Sequence, residues 1–375
     1  MMKHKLSRKK IGIATGVGIS VAVVIAFLIL VPQSQPQVQT QNSLHNPKLG
    51  LVIFPPSQRP TLQDIQNVYS QAGLTGIGRS NVYLSWPIIE PKQGSYNWGT
   101  SDILMGLNRE QHFNVTLYFS VINNRIFGPF PDWMGTPQFD QKFQDETVST
   151  LDAMLSRYYI VDYVIMGGNI DSYFRDHPND IPKYVNYFNG VYSKIKEKHP
   201  NVKIGNWFSL NDVTTHYEGD LVGKLNQGDF VAYSYAPVDL TYFESQNPEE
   251  EGANLQKMID FAKGKKIALM EIGWSTDKSI NGTNDDQTKF VKIVYDFYKK
   301  NQSEFEFLTW YRQYDRPFDT CYNSLNKDQS SMFGNEHVLN NTAAYLCGTG
   351  LIDVDNNPKP AWDEFKKQIQ SNINS

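Results

Sequence analysis

A glutamate interrupts one long apolar run of this chain. IALMEIGW, residues 267–274, places Glu271 between Met270 and Ile272. An ionisable group in such a setting costs free energy unless it is paired or does chemistry. A carboxyl there can act as a nucleophile or exchange protons near neutral pH; an ordinary ion pair at a strand end is the plainer alternative. A second stretch, VIMGGNIDSYF (164–174), runs apolar, stops at Gly167 and Gly168 and turns polar at Asn169. Metal chemistry finds no comparable support: the seven His have no HExxH spacing and the two Cys no CxxC, so neither a metal nor a cofactor is expected. Asp353, Asp355, Asn357 and Glu364 have part of a calcium-loop spacing, but Pro358 stands where that loop needs glycine.

The elements that must position Glu271 and Asn169 are legible as alternating apolar runs and helical patterns. The strands are expected at 49–54, 79–86, 114–122, 162–168, 203–210, 229–236, 266–274 and 305–314. Between them, helices show apolar spacing of three and four, as in Leu62, Ile65, Val68 and Ala72 after the capping residue Thr61. Strand–helix alternation of this kind predicts an α/β fold, a single closed (β/α)8 barrel, with its site at the C-terminal ends of the strands. An open doubly wound sheet wants a glycine-rich phosphate turn after the first strand; FPPSQRP (54–60) offers prolines instead, which donate no N–H. Strand-end residues are therefore the ones to inspect, whereas Arg79, near the start of the second strand, belongs to the bottom face.

Composition bounds the rest. With 20% charged residues and a formal net charge of −4, the chain is neither disordered nor suited to nucleic acid. Residues 1–10 are basic, and residues 11–31 carry no charge over a length that spans about 30 Å as a helix. The pair predicts a transmembrane anchor with the basic flank inside and the remainder extracellular, a cleaved signal peptide being the alternative. A Gln/Pro-rich linker covers 32–47, and the folded domain is expected over 48–375. Outside the cell, Cys321 and Cys347 could pair, closing a loop of about 26 residues worth about 3 kcal/mol. Four glycosylation sequons begin at Asn114, Asn281, Asn301 and Asn340, of which Asn114 opens a strand and is a poor acceptor.

Several segments resemble the clan A retaining glycoside hydrolases, whose catalytic glutamates follow the fourth and seventh strands of the barrel. SWPIIEPKQGSYNW (85–98), FPDWMG (130–135), MGGNIDSYF (166–174), ALMEIGWST (268–276) and GLIDVDNNPKPAWDEF (350–365) carry the likeness over most of residues 49–370. The resemblance implies Glu271 as the nucleophile and Asn169 as a hydrogen-bond partner of the sugar. It also implies Tyr235 (or Tyr233) as the residue that orients the nucleophile and Trp310 as a platform under the sugar. Trp86 and Trp207 are further candidates for sugar contact. Where the family has its acid/base glutamate, this chain has Ile170, which cannot donate a proton. Retention needs two carboxyls about 5–5.5 Å apart. Asp171, Asp176, Asp212 and Glu244 are the acids that could substitute. Three functions follow as expectations: a retaining glycosidase or transglycosidase, a barrel that binds extracellular carbohydrate without hydrolysing it, or a structural surface protein with no ligand.

Overall fold

The computed structural model describes residues 45–57, 59–329 and 334–373. The predicted basic tail and membrane segment lie outside the described residues, as does the linker up to residue 44. Among the described residues no helix is long and apolar enough to cross a membrane.

Nine strands form one sheet: β1 (Asn46–Leu51), β2 (Ile77–Tyr83), β3 (Asn114–Asn123), β4 (Ile126–Phe127), β5 (Val161–Gly168), β6 (Lys203–Ser209), β7 (Phe230–Tyr235), β8 (Lys266–Ile272) and β9 (Phe305–Trp310). The order is β2-β1-β9-β8-β7-β6-β5-β3, and pairing of β2 with β3 closes the ring. All of these neighbours are parallel; β4 alone is antiparallel, a two-residue hairpin strand on the end of β3. This is the eight-stranded (β/α)8 barrel, with β5 as its fourth strand and β8 as its seventh. Several strand boundaries differ from expectation by a few residues, two of them with consequences for the ends of the barrel. The barrel starts at Asn46, inside the predicted linker, because Asn46 already pairs with Ile77. The second strand ends at Tyr83, and Trp86 instead opens a four-residue helix, Trp86–Ile89, with Pro87 in its first turn.

Alternation along each strand sorts side chains into an inner core and an outer layer. Tyr163, Ile165, Trp207, Phe230, Ala232, Ala268, Met270 and Phe307 fill the barrel, with Tyr83 and Tyr118 against them. The opposite faces pack on the helices: Val164, Ile204, Val231, Leu269 and Leu308 belong to the outer cluster with Phe290 and Val294 of helix Asn284–Lys300. Arg79 closes the bottom of the barrel. Its guanidinium pairs with Asp162 at 2.7 Å and lies 4.5 Å over Tyr163 and 4.9 Å over Phe307. A cavity of about 490 Å³ opens there, lined by Lys48, Arg79, Asp162, Lys203, Lys266 and Glu306. Lys203 is bound to Glu306 at 2.6 Å and Lys48 donates to the Phe305 carbonyl at 3.0 Å, so these charges serve the fold. It is also the end of a (β/α)8 barrel at which conserved features serve stability rather than catalysis.

Candidate functional site

Glu271 sits one residue from the end of β8, at the C-terminal mouth of the barrel. The β7–β8 register slips here, so that Ser234 faces Glu271 after Tyr233 faced Leu269. The extra residue lets Met270 fill the barrel and Glu271 still reach its mouth. The carboxyl accepts a hydrogen bond from the Tyr83 hydroxyl across the barrel. Burial raises its pKa to about 7, opposed by the Tyr83 hydrogen bond and by the positive charge of Arg312. Tyr83 is pushed well above its ordinary value by burial and by the charge of Glu271, so it stays protonated and remains the donor.

Aromatic rings line the same mouth. Tyr83 lies 6.2 Å from Phe54 and 5.5 Å from Tyr118, and Trp207 meets Tyr118 edge-on at 5.5 Å. Just below, the Asn81 amide spans the barrel to donate to the Met270 carbonyl at 2.7 Å. Tyr311 follows β9 and lies close enough to Glu271 to feel its charge.

The end of β5 is shaped by its glycines. A Cβ on Gly168 has no room against the Tyr118 hydroxyl, and one on Gly167 has none against Ile170 and Tyr184. Asn169 then takes a left-handed backbone, φ 47° and ψ 46°, which Asn tolerates better than most residues, and starts helix Ile170–Asp176. Its side chain accepts from Ser234 Oγ at 3.1 Å, and Ser234 is the residue that faces Glu271.

That turn decides where the next two residues go. Ile170 is fully buried in the outer layer, against the Gly167 backbone and in the same cluster as Tyr184. Asp171 is also fully buried; it accepts from the Ser209 amide at 2.9 Å and lies 3.7 Å from Arg175. Burial, then the neighbouring charge of Asp212, raises its pKa to about 8. The remaining candidate acids are engaged elsewhere. Asp212 faces Arg175 at 3.7 Å, Asp176 faces Arg125 at 3.6 Å, and Glu244 accepts from Asn281 at 3.1 Å.

Three of the predicted site residues are packed away from the Glu271 carboxyl. Trp310 is fully buried in the outer layer, 6.1 Å from Phe290, because Phe307 and Thr309 take the inward positions of β9. Trp86 stacks at 5.9 Å on Phe143 and donates to Glu90 at 2.8 Å, beyond the end of β2. Tyr235 donates to Glu251, not to Glu271, since Ser234 holds the inward position. The alternative Tyr233 has the same outward parity and lies against Phe208. Glu271, Asn169 and Trp207 are thus the predicted residues that the barrel mouth gathers. Cys321 and Cys347 are joined by a disulfide, with 5.9 Å between their Cα atoms.

The mouth also holds residues that sequence reasoning passed over. Tyr83 and Asn81 follow Arg79 at intervals of two, the period of a strand face, so the inward face of β2 was readable once Arg79 was placed inside. Tyr118 and Tyr311 had no comparable signal.

No family model and no curated protein matches this chain. Solved structures do. A GH5_18 protein from Bifidobacterium longum subsp. longum, solved with Manb1-4GlcNAc, superposes with a TM-score of 0.64 at 16% identity, covering 87% of this chain and 78% of its own. A family 39 glycoside hydrolase from Bacteroides cellulosilyticus gives 0.58 at 15% identity, covering 88% and 65%. Xylanase 10B from Thermotoga maritima gives 0.59 at 13% identity, covering 89% and 97%. At these identities the likeness is one of fold: a barrel of the kind that glycoside hydrolases use.

Proposed function

We propose that this protein binds carbohydrate at the C-terminal mouth of its barrel and is a glycoside hydrolase-like protein without the second carboxyl of retaining hydrolysis. The observation that carries the reading is the Glu271 carboxyl bonded to Tyr83 beside Tyr118 and Trp207, while Ile170 and Asp171 turn into the outer layer. In this reading Glu271 anchors sugar hydroxyls, Asn169 adds a polar contact from the end of β5, and Trp207 and Tyr118 offer apolar ring faces. The predicted segment 11–31 tethers the domain to a membrane with its mouth outside the cell.

A second reading rests on the retention of Glu271 itself. Glycosyl transfer from a donor whose leaving group departs without protonation needs a nucleophile but no acid. Activated aryl glycosides and 2-fluoro sugar fluorides separate the two. The binding reading predicts no turnover and no mass increment on the Glu271 peptide. A covalent glycosyl adduct at Glu271, absent in Glu271→Gln, establishes the transfer reading in its place.

A further inference from the structure

Arg312 stands beside Glu271, and Arg316 lies close to Arg312 with, among the described residues, no partner for its charge. Arg312 is buried and anchored: its Nη1 donates to the Leu346 carbonyl and its Nη2 to the Tyr311 hydroxyl, both at 2.7 Å. Its Nε has no hydrogen-bond partner. Its backbone is left-handed, with φ 78°, a conformation that costs a non-glycine residue about 1–3 kcal/mol and is tolerated where the surroundings hold it. Arg316 is held in place by its own backbone N–H, which donates to the Cys347 carbonyl at 3.0 Å. The disulfide from Cys347 to Cys321 braces that segment. The Arg316 guanidinium lies 5.5 Å over the ring of Phe54, the ring next to Tyr83.

Among the described residues Arg316 has neither a side-chain hydrogen bond nor an ion pair. Asp315, the nearest acid in sequence, is taken by Lys359 at 2.6 Å. Two other enclosed arginines are paired, Arg79 with Asp162 and Arg175 with Glu218, each at 2.7 Å. Glu271 offers little compensation near neutral pH, where a carboxyl titrating at about 7 is only partly ionised. Burial and the repulsion of Arg312 push Arg316 down to about 10. Two guanidinium groups brought together out of water are unfavourable unless an anion joins them.

We propose that the barrel mouth takes an acidic carbohydrate, and that Arg316, with Arg312 behind it, binds an anionic substituent of the sugar, a uronate carboxylate or a sulfate ester. The inference rests on the carbohydrate-binding reading above and names the substrate class for it. Arginine suits both anions, because its fork donates two parallel hydrogen bonds. Phe54 supplies the floor under the guanidinium, and Glu271 receives the neutral hydroxyls of the same or the adjoining ring.

The test is calorimetric binding to the full-length chain of mannotriose and xylotriose, of trigalacturonate, and of a chondroitin tetrasaccharide with and without its sulfates. At low salt one acidic class is expected to bind about tenfold or more tighter than the neutral sugars, the size of a charge-assisted pair. Raising the salt to about 0.5 M narrows the ratio. Arg316→Gln is expected to bring acidic and neutral affinities close to parity, and Arg316→Lys to keep part of the preference. The uronate and sulfate arms identify which anion is read. Neutral sugars binding as tightly as acidic ones, or an acidic preference that survives in Arg316→Gln, overturns this inference and leaves the carbohydrate-binding reading standing. Absence of binding to every sugar class overturns both.

Discussion

Two carboxyls in this barrel have pKa values raised by loss of water and sit in opposite surroundings. Glu271 loses water at the inner mouth, where its neighbours are a tyrosine hydroxyl and an arginine, with the rings of Tyr83 and Tyr118 beside them. Asp171 loses water behind the fourth barrel strand, where it accepts from the Ser209 amide and belongs to a closed network with Arg175, Asp212 and Glu218. Burial alone therefore does not mark a functional acid. What separates the two is access: Glu271 is half-buried, whereas Asp171 is fully buried.

The harshest way to break the comparison is to put a carboxyl where the resemblance expects one. Ile170→Glu is predicted to cost about 3–5 kcal/mol in urea unfolding, the penalty of an unpaired buried charge, and to produce no hydrolysis. Its side chain enters the outer layer beside Tyr184 and not the mouth. Hydrolysis gained without loss of stability places position 170 in the mouth and collapses the distinction.

Next in size come the truncations. Asp171→Ala leaves the Ser209 amide and Arg175 without their acceptor and is expected to cost about 1–3 kcal/mol, with sugar binding retained. Glu271→Ala is expected to change stability less and to abolish binding. Paired unfolding and binding titrations read both effects, and a reversal of the pattern exchanges the roles of the two acids.

The pH dependence gives a subtler contrast. For both groups the folded state holds a proton that the unfolded chain has released, so stability falls as pH rises from the ordinary value through the raised one. The window for Glu271 runs from its ordinary 4.5 to about 7, and that for Asp171 from 3.8 to about 8. Glu271→Gln should remove the first slope and Asp171→Asn the second, as read from melting temperatures between pH 4 and 9. The smallest predicted effect is that of Tyr83→Phe. Losing this donor removes a contribution that lowers the pKa of Glu271, so the carboxyl's infrared titration moves to higher pH.

Much of the fold was legible in the sequence. The barrel strands fall close to the apolar runs, because strand–helix alternation leaves one main way to bury both faces of each strand. Glu271 was legible for a related reason, as a charge inside an apolar run stands out. Trp310 and Tyr235 were misplaced by one residue of parity: the inward positions belong to Thr309 and Ser234, and period-two alternation turns a one-residue error into the wrong face. At Ile170 the sequence differs from the glutamate that the resemblance implies. The destination of this side chain was not readable, since it depends on the left-handed turn at Asn169 and on the space left by Gly167. Arg312 and Arg316 were missed because an unpaired charge is a fact of three dimensions that no spacing in the sequence records.

The central claim is that this mouth binds sugar with a single carboxyl and does not cleave it. The most direct measurement incubates full-length protein with an unactivated oligosaccharide that it binds and follows the appearance of new reducing ends. The account predicts saturable binding, lost in Glu271→Ala and weakened in Trp207→Ala, with no reducing ends released. Steady release that disappears in Glu271→Gln contradicts it, and requires a second acid to act with Glu271.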